Sequence, residues 1–177
     1  MTMASAAWRN DKTWLAAGLL AVVCACLPLF DLRSVFAVDW ANGMWITNYF
    51  GAYMRAHMQL PYVLNTFQLS VMAYPAFYGY LFFPLLGVFT TILDANLVLR
   101  AAAFLLLAAQ FYAIYLAIGR LSGNCMFACL VGTLVTWAIY PLTNLYNRGA
   151  LPEFFATGLL TCALALWLLA LRAENTA

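Results

Sequence analysis

The chain has 177 residues, of which 67% are hydrophobic and only 8% charged, and its mean hydropathy is +0.89. Soluble domains carry about 25% charged residues, so this composition excludes a disordered chain and an ordinary soluble globule. Eight Lys and Arg against six Asp and Glu leave a net charge of +2. That is too small and too scattered for a nucleic-acid-binding face.

Reading from the N-terminus, a short polar tail with Arg9 and Lys12 precedes an uncharged run, Thr13–Phe30. A positive flank before an apolar run suits either a signal peptide or an anchor. The run is long and no small-x-small cleavage site follows Pro28, which favours an uncleaved anchor. The connection Asp31–Ser70 comes next. Within it, Asp39–Met58 lacks proline and holds Trp40, Trp45, Tyr49, Phe50 and Tyr53 beside Asp39, Asn42, Asn48 and Arg55. Aromatic and polar residues so mixed predict an interfacial helix, lying on lipid or partly buried against other helices. Leu60-Pro61 breaks it.

The stretch Tyr74–Leu93 is strongly apolar but carries Pro75, Pro84, Gly79, Gly87 and many aromatics. Two prolines weaken a straight helix, and tyrosine favours the bilayer interface. The expectation is an embedded or re-entrant helix. Asp94–Asn96 reads as a helix start. Three further uncharged runs follow: Ala101–Gly119, Leu121–Asn147 and Phe154–Leu171. Each is near the roughly 20 residues a membrane-spanning helix needs, and a lipid-embedded backbone must satisfy its own hydrogen bonds.

The fold class expected is therefore an all-α membrane protein. It has four transmembrane helices, an interfacial helix, and an embedded or re-entrant helix in the first outer loop, as a single integral membrane domain over 1–177. Five transmembrane helices are the alternative. The positive-inside rule divides the basic residues equally in both cases. Acids near Arg33, Arg100 and Arg148 (Asp31, Asp94 and Glu153) tilt the balance to four spans with the N-terminus cytoplasmic. On that count Asp39, Arg148 and Glu153 share one side.

Ionisable residues at a membrane are functional candidates by default. Asp39 stands where a helix begins and reads either as a cap, favoured by the helix dipole, or as a general base or metal ligand. Tyr146-Asn147-Arg148-Gly149-Ala150-Leu151-Pro152-Glu153 forms the second constellation. Its plain reading is an Arg148–Glu153 pair, or Glu153 helping to start the last helix after Pro152. Its sharper reading places Arg148 on a phosphate, with Gly149 letting the backbone approach a ligand. Arg55 and His57 are further substrate-contacting candidates, the plainer role for His57 being an interfacial polar residue. Arg100 is expected to snorkel to the headgroups, and Gln110 to bind neighbouring helices. The five cysteines lie in or beside the apolar runs and read as packing residues. A divalent metal is compatible with the chemistry, but no ligand cluster is evident.

The order of these features resembles the N-terminal part of glycosyltransferase-C type integral membrane proteins. The nearest likeness is to the family labelled 6-pyruvoyl-tetrahydropterin-synthase-related membrane domain. The residues that carry it are Val38-Asp39, Gln59-Leu60-Pro61, Ala73-Tyr74-Pro75-Ala76-Phe77-Tyr78-Gly79 and the 146–153 loop, whose Arg-Gly-Ala-x-x-Glu pattern is the most specific. The resemblance implies transfer of a sugar from a polyprenyl-phosphate-linked donor to an exoplasmic acceptor, in a bacterial inner membrane. It implies Asp39 as the base, Arg148 at the lipid phosphate, and Glu153 in a second acidic role or a structural pairing; Tyr146 is a further substrate-contacting candidate. Members often place a His shortly after the loop acid and an Arg beyond; here those positions hold Asn42, Gly43 and Trp45. Members are also several times longer. Both departures motivate the alternative, a non-catalytic membrane subunit or remnant that packs with a partner membrane protein.

Overall fold

The computed structural model describes residues 12–31, 38–59, 64–66, 70–72 and 82–174. The elements in chain order are α1 (Lys12–Ala25), a 3-10 turn (Leu27–Phe30), α2 (Val38–His57), β1 (Leu64–Thr66), β2 (Ser70–Met72), α3 (Phe82–Phe89), α4 (Ala95–Ser122), α5 (Cys125–Thr136), α6 (Ile139–Leu142), a π turn (Thr143–Arg148) and α7 (Leu151–Glu174). Helices dominate. The one ladder among the described residues pairs Leu64 with Met72, Asn65 with Val71 and Thr66 with Ser70, antiparallel. Residues 60–63 and 73–81, which hold part of the family likeness and the first half of the expected embedded helix, lie outside the described residues.

Helix ends follow local chemistry. Asp94 Oδ1 accepts from the backbone N–H of Asn96 at 2.8 Å and of Leu97 at 3.3 Å, which starts α4. Arg120 sits in its last turn, and Gly123 at φ 70 stops it. Asn124 then caps α5 by accepting from Phe127 N at 3.0 Å. Pro141 has no N–H to give to the Trp137 carbonyl one turn earlier, and the uncharged run 121–147 is broken at residues 137–138 rather than continuous. Pro152 and Glu153 occupy the first turn of α7, and Arg172 the last.

Two helices, Ala95–Ser122 and Leu151–Arg172, are long and apolar enough to cross a membrane. Cys125–Thr136 and Ile139–Arg148, bent by 40° at their break, make a third if the pair counts as one span. These spans fit an integral membrane protein. Fourteen-residue α1 is about 21 Å long at 1.5 Å per residue. That is short of a hydrocarbon core of about 30 Å, so the four-span expectation is met only in this coarser form.

The residues group into two compact units. One comprises Met1–Asp31, Phe104–Leu142 and Ala156–Ala177; the other comprises Leu32–Ala103 and Thr143–Phe155. In the first, the Phe111 ring fills the space that Gly18 and Gly132 leave open: a Cβ on Gly132 would lie 2.9 Å from it. Small residues permit such close helix approach where lipid supplies no hydrophobic drive. Trp137 Nε1 donates to the Ala21 carbonyl at 3.1 Å. Ala113, Ile114, Ala117 and Ala165 form a buried cluster flanked by Cys162. Cys129 and Gln110 are buried as well.

In the second unit α2 packs on α3. A Cβ on Gly87 would lie 2.7 Å from Phe50 Cβ and 3.0 Å from Gly51 N, so the backbones nearly touch. Thr47 Oγ1 donates to the Gly43 carbonyl at 2.7 Å and Thr90 Oγ1 to the Gly87 carbonyl at 2.8 Å. Each hydroxyl is thereby satisfied within its own turn. Trp40, Gly43, Ile46, Thr47, Phe50 and Gly51 form a buried stripe along α2. Of the two placements open for this helix, partial burial against protein is the one found.

Candidate functional site

The site grows from the N-terminal turn of α2. Asp39 lies in that turn with an exposed side chain. The next residue, Trp40, is fully buried and fixes the turn, because its Nε1 donates to Asn96 Oδ1 at 3.0 Å. Arg100 Nε donates to the same oxygen at 2.8 Å, and its guanidinium carbon lies 5.7 Å from the Trp40 ring centroid. A cation at that distance from an indole is attracted by the ring quadrupole. Arg100 is only 3% exposed. This corrects the expectation that it snorkels: Asn96 and Trp40 together offer its guanidinium an acceptor and an aromatic face inside the unit.

The 143–155 segment meets the same turn from the other direction. Gly149 has φ 67, and a Cβ there would stand 2.6 Å from Trp40 N and 3.3 Å from the Asp39 carbonyl carbon. Glycine is required on both counts, by its conformation and by the contact. Leu151 packs on Gly43, one turn farther along α2. The preceding π turn is tied by Asn144, whose backbone carbonyl accepts from Ala150 N at 2.8 Å. Its side-chain Oδ1 accepts from Arg148 Nη1 at 3.0 Å. Asn144 is 1% exposed, and its Nδ2 has no hydrogen-bond partner. Single π turns inside α-helical segments occur frequently at functional sites.

Asp39, Asn42, Gly43, Ile46, Phe83, Gly149 and Pro152 line a cavity of about 40 Å³. That is room for a water molecule or two. Asp39 and Asn42 are exposed at its lip, and Arg148 is exposed beside Gly149. Tyr146 and Glu153 are half-buried in the same segment. The structure thus brings Asp39 together with the loop that carries Tyr146, Arg148 and Glu153.

It does not bring Arg55 and His57 there. Sixteen positions of α2 separate Asp39 from Arg55, about 24 Å at 1.5 Å per residue. Arg55 Nη2 donates to the Thr90 carbonyl at a long 3.5 Å, and His57 lies 4.4 Å from the Tyr53 ring, centroid to centroid.

Sequence reasoning missed Trp40, Asn96, Arg100 and Asn144 as members of the site. One signal was available: Asn96–Arg100 and Asn144–Arg148 share an Asn-x-x-x-Arg spacing, which puts both side chains on one helical face. Among the described residues no group of three or more His, Cys, Asp or Glu comes together to hold a metal. No family model, no curated protein and no solved structure matches the chain.

Proposed function

We propose that the chain is an integral membrane glycosyltransferase-like protein, transferring a sugar from a polyprenyl-phosphate-linked donor to an acceptor on the exoplasmic face of a bacterial inner membrane. The observation that carries this reading is the contact of Gly149 with the Asp39–Trp40 backbone. It joins the one acid at the start of α2 to the Arg148–Glu153 loop. Asp39, exposed at the cavity lip, is suited to take the proton of an acceptor hydroxyl as its oxygen attacks the anomeric carbon. The polyprenyl phosphate leaves with the bonding electrons. Arg148 is suited to receive that phosphate through paired N–H donors, with Tyr146 as a second donor contact and Glu153 as the second acid.

The same contacts support a topology. Trp40 meets Asn96 at the start of α4 and Gly149 after the bent pair. On this reading α4 and the bent pair are two successive crossings, and α7 is a further one. A cytoplasmic N-terminus then makes α1 and its 3-10 turn the first crossing.

The test is sugar transfer from a polyprenyl-phosphate donor in proteoliposomes, wild type against Asp39→Asn. Equal turnover by the two removes the catalytic role of Asp39. One observation favours the second reading, a non-catalytic subunit packed with a partner membrane protein: a cavity of about 40 Å³ admits no sugar ring. Co-purification of a second membrane protein, with no donor binding by the chain alone, would select it.

A further inference from the structure

At the far end of α2, one turn beyond the Gly51–Gly87 crossing, lies a second and much larger hollow. It has a volume of about 460 Å³ and is lined by Met54, Arg55, Met58, Gln59, Val88 and Thr91. Its walls are apolar except for one guanidinium and two uncharged polar side chains. We propose that this groove binds an anionic phospholipid, with Arg55 at the headgroup phosphate and an acyl chain along Met54, Met58 and Val88.

Three observations point to that occupant. The first is charge. Among the described residues Arg55 is the sole charged one lining the groove, and its hydrogen bond to the Thr90 carbonyl is long at 3.5 Å. An arginine has five N–H donors in a planar fork that matches phosphate oxygens. Among the described residues no carboxylate lines the groove to meet the ammonium of a zwitterionic headgroup. Gln59 supplies a further neutral donor suited to headgroup oxygens.

The second is Met58. It follows the last residue of α2 with φ 54, a left-handed conformation usually left to Gly or Asn, and its side chain is 91% exposed. Among the described residues almost nothing covers this outward-held thioether. An acyl chain would cover it, and methionine adapts readily to such a partner. The third is continuity. Val88 on the groove wall is 52% exposed, and Leu85, Phe89 and Ile92 around it are exposed too. The groove therefore opens onto an apolar face suited to lipid.

This site lies about 24 Å along α2 from Asp39, and it does not depend on the transferase reading. The test uses the purified full-length chain in mild detergent, its melting temperature followed with added phosphatidylglycerol or phosphatidylcholine. Phosphatidylglycerol is expected to raise the melting temperature by several degrees more than phosphatidylcholine, and glycerol phosphate without chains to leave it unchanged. Arg55→Gln should melt normally without lipid and lose most of that difference. Arg120→Gln, which removes an exposed cation elsewhere, should keep it. Met58→Asn should raise the lipid-free melting temperature by relieving the left-handed strain, yet shrink the lipid effect. Equal shifts from both lipids would overturn the proposal. So would an undiminished difference in Arg55→Gln, or an equal loss in Arg120→Gln.

Discussion

Gly149 lies directly against Trp40: a Cβ on the glycine would come within 2.6 Å of the tryptophan backbone nitrogen. Residues far apart in sequence are thereby locked at the start of α2, and the candidate site depends on this approach. Gly149→Ala carries two penalties. A left-handed backbone disfavours a Cβ by about 1–2 kcal/mol, and forcing an extra carbon into a packed contact adds about 1–3 kcal/mol. The expected loss of stability is therefore about 2–5 kcal/mol, read as a lower denaturation midpoint in detergent. An unchanged midpoint would show that the loop does not bear on Trp40.

Arg100 should tolerate neither neutral nor conservative replacement. Arg100→Met deletes a buried hydrogen bond from a charged donor, typically about 1.5–3 kcal/mol, together with the contact over Trp40. Arg100→Lys keeps the charge but loses the planar donor that reaches Asn96 while lying over the ring. Both variants should melt lower than wild type. A Lys variant as stable as wild type would mean that charge alone matters.

Asn144 offers a separation of stability from binding. Its Nδ2 is buried without a partner while its Oδ1 receives Arg148. Asn144→Leu removes a buried unsatisfied donor, and the exposed Arg148 can return its freed N–H groups to water, so the lost bond is largely offset. The melting temperature should move little. Arg148 loses its anchor, so on the proposed transferase reading the KM for a polyprenyl-phosphate donor should rise several-fold with kcat less affected. Unchanged donor kinetics would detach Arg148 from the phosphate.

Labelling of single introduced cysteines in a cysteine-free background should report the topology. Asp39→Cys and Glu153→Cys are expected to react with an impermeant reagent from the same face of the membrane. Asn124→Cys, between α4 and α5, should react from the opposite face. Labelling of all three from one side would make the bent pair a re-entrant loop.

Much of this arrangement was legible in the chain. Uncharged runs located α4 and α7, because only long apolar helices satisfy their backbone in lipid. Asp94 marked the start of α4 through its capping chemistry. The aromatic segment after Asp39 was read as a helix, but its composition left its burial open. Tryptophan suits an interface and a protein core equally, and the partners of Trp40, Asn96 and Gly149, lie far away in sequence. Arg100 escaped for the same reason: a lone charge at a span end looks like a snorkelling residue until its aromatic partner is known. The run 121–147 was read as one span because hydropathy does not register the bend at its middle. Asp39 and the 146–153 loop emerged from scarcity of charge alone, and the fold then brought them together.

The Gly149–Trp40 contact also has a consequence for the order of assembly. Roughly a hundred residues separate the two, and at a synthesis rate of about 5–20 residues per second α2 waits on the order of 5–20 s for its partner. During that interval its first turn lacks the cover that Gly149 and Leu151 later supply. Nascent chains stalled before residue 149 should therefore be open to proteases near Trp40. Chains extended past residue 155 should resist them.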